Sequence, residues 1–247
     1  MAGKKPLHAA EKLSLPPAYT LIAIREAGDA FKYAMAIEDK SAGTLVWARR
    51  FQLAEFAVVL EPPEPLSLAR TVFFAAMNAL ADTLVVYCPP EKPVAFEWPD
   101  TLLLDAGVIG GGRMGCPEDC GEADIPDWLV FGGMLRTAGH HLTEPGEWMR
   151  GVALSEEGIW DVHPGEIVES FARHLMSALH NWQVFGPQHE LSRWAARWRR
   201  PPTPMVHMDT SGNFCRPLDA KQTEKRPLAE ALLSPQWLDE ETAEPWL

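Results

Sequence analysis

Ala69, Val72, Phe73, Ala76, Met77, Leu80 and Leu84 recur at helical spacing, between the prolines at 62, 63 and 65 and the pair Pro89-Pro90. That is one face of a 3.6-residue period held over roughly four turns. Proline on either side fixes where it starts and stops. A helix with so long an apolar stripe must bury it against other elements. What the chain can fold into therefore depends on what surrounds residues 69–84.

The flanks read as short strands. Tyr19–Ile24 alternates weakly, and Thr44–Arg50 and Glu55–Leu60 are apolar and partly β-branched. Val94–Trp98, Leu102–Asp105, Val108–Gly110 and Asp127–Leu135 follow the helix, with Pro99-Asp100 and Gly107 as punctuation. A short helix fits Asp29–Asp39. A second long one starts at Pro164 and lines up Ile167, Phe171, Leu175 and Leu179, with Glu166 at its positive end. A third spans about Gln188–Trp198. Gly110–Asp124 is rich in glycine, cysteine and acid and reads as loop. Pro201, Pro202 and Pro204 form a stiff linker. Beyond it, Met205–Asp209 and Phe214–Arg216 suggest a hairpin about Ser211-Gly212-Asn213, then a short helix from Pro227 to Leu233. Strands and helices do not alternate strictly. The expectation is an α+β fold with a mixed, largely antiparallel sheet, packed helices and a small β-rich C-terminal domain. The expected division is an arm over 1–18, a main domain over 19–202 and a small domain over 203–247.

Composition narrows the class. The 247 residues are 47% apolar and 23% charged, ordinary globular usage. We find no apolar run of about 18 residues of the kind a membrane helix needs, and the basic start Met1–Pro6 leads into no apolar segment, so it is not a secretory signal. Four cysteines without dense spacing argue for a reducing, cytoplasmic protein. A net charge of −12 repels phosphate backbones and disfavours nucleic acid. Arg193, Arg197, Arg199 and Arg200 form a basic patch, which we read as the solvated face of a helix whose Trp194 and Trp198 point inward.

Glu97-Trp98-Pro99-Asp100, then Leu102–Leu104, a turn, and Val108-Ile109-Gly110-Gly111, resembles the K-W-P-N-D and following hairpin of the biotin/lipoate protein ligase superfamily. Gly43–Trp47, the helix 69–84 and Asp127–Gly133 fall in the family's order. The resemblance implies a pocket whose floor is this hairpin, with a ligand-binding set of Trp47, Arg49, Arg50, Glu97, Trp98, Pro99, Asp100, Gly110, Gly111, Gly112 and Arg113. It implies a biotin-, lipoate- or acyl-type carboxylic acid as ligand, ATP as co-substrate, and transfer to a lysine of an acyl or biotin carrier protein. No cofactor is demanded by the sequence itself, and neither nucleic acid nor membrane is an expected partner.

The departures bear on the same pocket. Adenylation builds negative charge that a cation must meet. Glu97 stands where the family has the lysine of K-W-P-N-D, and Val108 where it has a second. The segment between Trp47 and Phe56 is too short for the family's G-R-G-R-x-G-R nucleotide loop, and the position of a family asparagine falls near Arg136. Adenylation is impaired unless Arg49, Arg50, Arg113 or Arg136 supplies the charge. The alternative is a catalytically silent homologue acting as a small-molecule-binding or regulatory module. A thioester route through Cys116 or Cys120 is disfavoured by Glu118, Asp119, Glu122 and Asp124, which suppress the thiolate.

Other constellations are weaker. Cys116-x3-Cys120 has no second ligand pair beyond His140-His141, and reads as surface loop rather than zinc site. Gly110–Gly115 could cradle an anion with its amides or let chains approach closely. His207-x-Asp209 shares one strand face but has no third ligand. His163 fits a helix cap, and Asp29 either a helix cap or a ligand-facing polar group. No nucleophile elbow or triad supports an unrelated hydrolase or transferase.

Overall fold

The computed structural model describes residues 13–139, 150–199, 205–219 and 222–246. His140-His141, Arg200, the linker prolines and most of the N-terminal arm lie outside the described residues.

Seven strands form one sheet in the order β1-β2-β3-β7-β6-β5-β4. They are β1 Thr20–Ile24, β2 Thr44–Ala48, β3 Leu53–Leu60, β4 Val94–Glu97, β5 Thr101–Leu104, β6 Gly107–Gly115 and β7 Leu129–Arg136. Only β1 and β2 pair in parallel; the remaining pairs are antiparallel. A second sheet, β10-β9-β8, comprises β8 His207–Met208, β9 Phe214–Pro217 and β10 Thr223–Arg226. The helices are α1 Ala30–Ala36, α2 Leu66–Ala69, α3 Val72–Tyr87, α4 Pro164–Phe185, α5 Pro187–Ala196 and α6 Leu228–Ala231. This is the expected α+β architecture.

One face of the sheet takes the three long helices. Ala54, Phe56 and Val58 of β3, Leu45 and Trp47 of β2, and Leu129, Phe131 and Leu135 of β7 share a single cluster with α3 and α4. Phe171 anchors it, with its ring 4.3 Å from Phe56 and 5.7 Å from Phe131 between centroids. Val206, Phe214 and Leu228 of the C-terminal segment join the same cluster. His163 caps α4 by accepting from the Gly165 amide at 3.1 Å, with Glu166 completing a capping box.

Two expectations need correction, and a third is extended. α3 buries more than its apolar stripe. Every residue from Val72 to Ala81 is buried, because the sheet, α4 and α5 enclose it. For the same reason Leu66–Tyr87 is long and apolar enough to cross a membrane, yet 78% of its most apolar window is buried inside the protein. The glycine-rich tract is not loop throughout: Gly110–Gly115 belongs to β6, paired with β7 on one side and, through Gly110 and Gly111, with β5 on the other. Its glycines answer to tertiary crowding rather than to a turn. Gly110 has φ +154°, and a Cβ there would lie 1.9 Å from the Met134 carbonyl oxygen.

Candidate functional site

The opposite face of the sheet is covered in two halves. Strand alternation sends Val46 and Ala48, Ala57 and Val59, and Val130 outward, where Ala30, Ala34, Phe31 and Met35 of α1 close over them. Leu53, Leu103, Val108 and Met134 point outward on the other half, under Trp237 and Leu238. Between the halves runs a charged strip.

A β-bulge creates part of that strip. Pairing of β5 with β6 shifts register between Leu102 and Leu103, so an extra residue sits in β6 near Gly110. Ile109 points to the helices. With unbroken alternation Gly111 and Arg113 would follow it; the bulge turns both to the outer face. Gly111 then lies under Trp237, where a Cβ would come within 2.4 Å of the indole. Arg113 reaches Asp29, the N-cap of α1, with both Nη atoms at 3.0 and 3.1 Å, and lies over the Phe31 ring.

Glu55 is the sole acid in the apolar run Leu53–Leu60 and is wholly buried. Its Oε1 accepts from the Ala30 amide at 2.7 Å. Its Oε2 forms an ion pair with Arg50, 2.7 Å from Nε. Burial pushes the Glu55 carboxyl above the usual range, against the pull of the Ala30 amide and Arg50. Burial also acts upward on Asp29, but there the Arg113 hydrogen bonds and charge outweigh it and hold the group below its ordinary value.

The remaining members come from the C-terminal segment. Glu244 bridges Arg50 Nη1 at 3.0 Å and Arg136 Nη1 at 3.5 Å. Arg136 also donates from Nη2 to the Pro245 carbonyl, at 2.5 Å. This guanidinium is 2% exposed, and burial draws it below its usual pKa even beside Glu244. Among the described residues its Nε and Nη1 have no hydrogen-bond partner. Trp237, fully buried, donates to the Gly112 carbonyl at 3.1 Å. Asp100, also fully buried, accepts from the Gln236 amide at 3.2 Å and from Thr101 Oγ1 at 3.1 Å; burial pushes its carboxyl up to about 7.

The residues expected to line one pocket are therefore divided. Arg50, Gly111 and Arg113 reach the outer strip, and Asp100 touches the segment that covers it. Arg49 is exposed just after β2. Trp47 points the other way, into the helix-side core beside Gly165. Trp98 is 6% exposed and donates to the Gly212 carbonyl, with Phe214 and Arg226 against its ring. It anchors the second sheet rather than walling an opening. Pro99 is buried behind it, and Glu97 is half-buried at the end of the edge strand β4. The Gly112 amide donates to the Asp100 carbonyl at 3.0 Å and its carbonyl accepts from Trp237, and Gly110 is paired with both neighbouring strands, so these glycines form no anion cradle.

Asp29 and Arg136 were visible as candidates, but Glu55, Trp237 and Glu244 were missed. A lone acid inside an apolar strand was a usable signal for Glu55. Nothing local marks Trp237 or Glu244.

The other constellations are structural. Asp209 is consumed by its own turn, accepting from Ser211, Asn213 and Lys225. Arg193 and Arg197 are held by Asp82 at 2.7 and 2.8 Å, above the inward Trp194 and Trp198. Burial pushes the Cys116 thiol up against the pull of Arg70, and desolvation with the charge of Asp124 and Asp119 pushes Cys120 up. Among the described residues no group of three potential metal ligands stands together. A cavity of about 260 Å³ opens on the helix side, among Tyr19, Leu60, Pro62, Met176 and Trp182. Among the described residues its one charged lining residue is Glu61, so it offers no cation to a carboxylate, and it is separate from the strip.

Residues 15–196 match the biotin/lipoate A/B protein ligase family. No curated protein matches the sequence. Among solved structures, the chain resembles a biotin protein ligase-like protein of unknown function from Silicibacter sp. TM1040, with TM-score 0.76, 22% identity, and coverage of 90% of this chain and 100% of that one. It also resembles the biotin protein ligase of Aquifex aeolicus, with TM-score 0.68, 14% identity, and coverage of 85% and 96%. A structure of the Aquifex aeolicus ligase in complex with biotin and ATP matches with TM-score 0.61, 13% identity, and coverage of 83% and 94%. At such identities these structures speak to the fold.

Proposed function

Since this chain belongs to the biotin/lipoate A/B protein ligase family, we propose that it is a binding module for a biotin-, lipoate- or medium-chain acyl-type carboxylic acid, working in the cytoplasm without adenylating or transferring its ligand. The observation that carries this is the strip on the outer face. Arg50, Arg113 and Arg136 are each closed by a carboxylate of the same chain. Acyl-adenylate chemistry needs a mobile cation over the reacting phosphate, where negative charge develops. Of the described lysines only Lys32 borders the strip, exposed and 4.0 Å from Asp29; Lys40 lies over Trp128, Lys92 pairs with Glu157, and Lys225 with Asp209. What the strip does offer is guanidinium groups, which suit a carboxylate.

Transfer to a carrier-protein lysine with ATP is the rival reading, favoured by the solved ligase that holds biotin and ATP. One experiment separates the two. The purified protein is titrated with biotin, lipoate and octanoate by calorimetry, and each mixture is then incubated with ATP and a biotinyl or lipoyl carrier domain. The expected result is saturable binding of at least one acid and an unchanged carrier mass. A mass gain on the carrier would establish transfer and overturn the silent reading. Failure of every acid to bind would remove the binding reading.

A further inference from the structure

We propose that Arg50 and Arg136 form a carboxylate site for a small organic acid, held shut in the resting chain by the carboxylate of Glu244. The proposal rests on the binding reading above and adds how the site is gated.

The closing contact is an imperfect one. A carboxylate and a guanidinium pair best through two short, aligned hydrogen bonds. Glu244 instead meets Arg136 at 3.5 Å, and leaves Nε and Nη1 of that buried group without a hydrogen bond. Burying an under-bonded charged donor is unfavourable. The defect follows from tethering, since Glu244 sits in a tight fold-back. The Asp239 amide donates to the Glu244 carbonyl at 2.8 Å, and the Trp246 amide to the Trp237 carbonyl at 3.0 Å. The turn between them includes Ala243 at φ +55°, a left-handed conformation unfavourable for alanine. A free carboxylate carries no such constraint and can reach donors that Glu244 leaves unbonded.

Charge balance makes the exchange one for one. Among the described residues Asp29, Glu55, Glu156 and Glu244 face Lys32, Arg50, Arg113 and Arg136, four acids against four cations. An added anion would leave the buried strip with an uncompensated charge, which is costly. An acid therefore enters as Glu244 leaves. Two features show which part moves. Trp237 is fully buried and bonded to Gly112, so the incoming strand of the fold-back is anchored. Glu244 is 25% exposed in its side chain; the outgoing strand is held to the sheet by Glu244 and by the Pro245 carbonyl on Arg136, and to the incoming strand by the Trp246 amide on Trp237, so it lifts by breaking those contacts.

The test compares the full-length wild type with Glu244→Gln, which keeps the shape and removes the charge, and with Arg50→Gln. Each is titrated with biotin, lipoate and octanoate. If the competing carboxylate closes the site, its neutralisation raises the competent fraction and lowers the apparent Kd in proportion. The expected change is about tenfold tighter binding by Glu244→Gln and about tenfold weaker binding by Arg50→Gln. In the wild type, a saturating acid should speed hydrogen exchange at the amides of Asp239, Ala243 and Trp246. An acid bound with equal affinity by wild type and Glu244→Gln, or bound with no change in exchange at those amides, overturns the gate and leaves the binding reading standing. No binding by any of the three proteins ends both.

Discussion

The two faces of the seven-stranded sheet are made from the same strands, yet they do different work. The helix side holds Phe56, Phe131, Phe171 and most of α3 in a continuous apolar cluster. The outer side interrupts its apolar cover with three arginines and the acids that face them. Alternation along one strand separates them: in β3, Phe56 faces the helices and Glu55 the strip. The contrast sets an uninterrupted apolar core on one face against buried charge on the other, and a buried ion pair costs more to desolvate than an apolar side chain of the same size.

The sharpest division comes from truncating each face. Phe171→Ala removes a ring packed between Phe56 and Phe131 and should cost about 3–5 kcal/mol in urea unfolding. Ligand affinity, read on the folded fraction, should be unchanged. Glu55→Ala should cost less, about 2–4 kcal/mol, by stripping the Ala30 amide of its acceptor and Arg50 of one anion. It should also change acid binding. If Glu55→Ala were neutral to both stability and binding, the outer face would be packing like the inner one and the comparison would fail.

Titration probes the same contrast with smaller effects. Asp100 has its folded pKa raised to about 7 by burial, from about 4 when unfolded. The neutral acid is therefore favoured in the folded state. Its contribution is fully present below pH 4 and is lost as pH rises through about 7. Glu55, also raised by burial, acts in the same direction. Asp209 is the opposite case. Burial acts upward on it, but Lys225 and Asn213 override this and hold it at about 2. Its contribution is present above pH 4 and lost as pH falls through 2. Asp100→Asn should gain on wild type by about 1–3 kcal/mol between pH 5 and 8, whereas Asp209→Asn should fall behind wild type above pH 4. Parallel unfolding profiles for Asp100→Asn and wild type over pH 5–8 would show that Asp100 is not a buried acid under the C-terminal segment.

Legibility from sequence follows the two faces as well. The helix 72–87, α4 with its cap at His163, and most strands were readable because burial imposes periods of 3.6 and 2 on the apolar residues. The α+β class and the family followed from that order and from Trp98-Pro99-Asp100. The outer face was only partly readable. Arg50 and Arg113 were named, but the bulge at Gly110 decides which way Arg113 points, and a glycine run gives no sign of it beyond its composition. Trp98 looked like a pocket wall because its motif resembles one, whereas the structure uses its indole to hold Gly212 and Phe214. Glu244 lies 194 residues from Arg50 in the chain, so no local pattern could join them.

Glu97→Lys tests the smallest effect and the most specific inference. Glu97 stands where the family carries a lysine, so restoring the cation is the obvious route to a working ligase. The fold argues otherwise. Glu97 ends the edge strand β4 opposite Thr101 of β5, and Thr101 pairs in turn with Gly111 of β6. Two strand spacings separate it from Gly111, roughly 10 Å, and the anchored Trp237 covers that glycine. A half-buried edge position tolerates either sign of charge, so stability should move by less than about 0.5 kcal/mol. With ATP and biotin or lipoate present, the variant should leave a carrier domain at its original mass, as the wild type should. Carrier labelling by Glu97→Lys would show that one missing charge, rather than the closed strip of arginines and acids, keeps this chain silent.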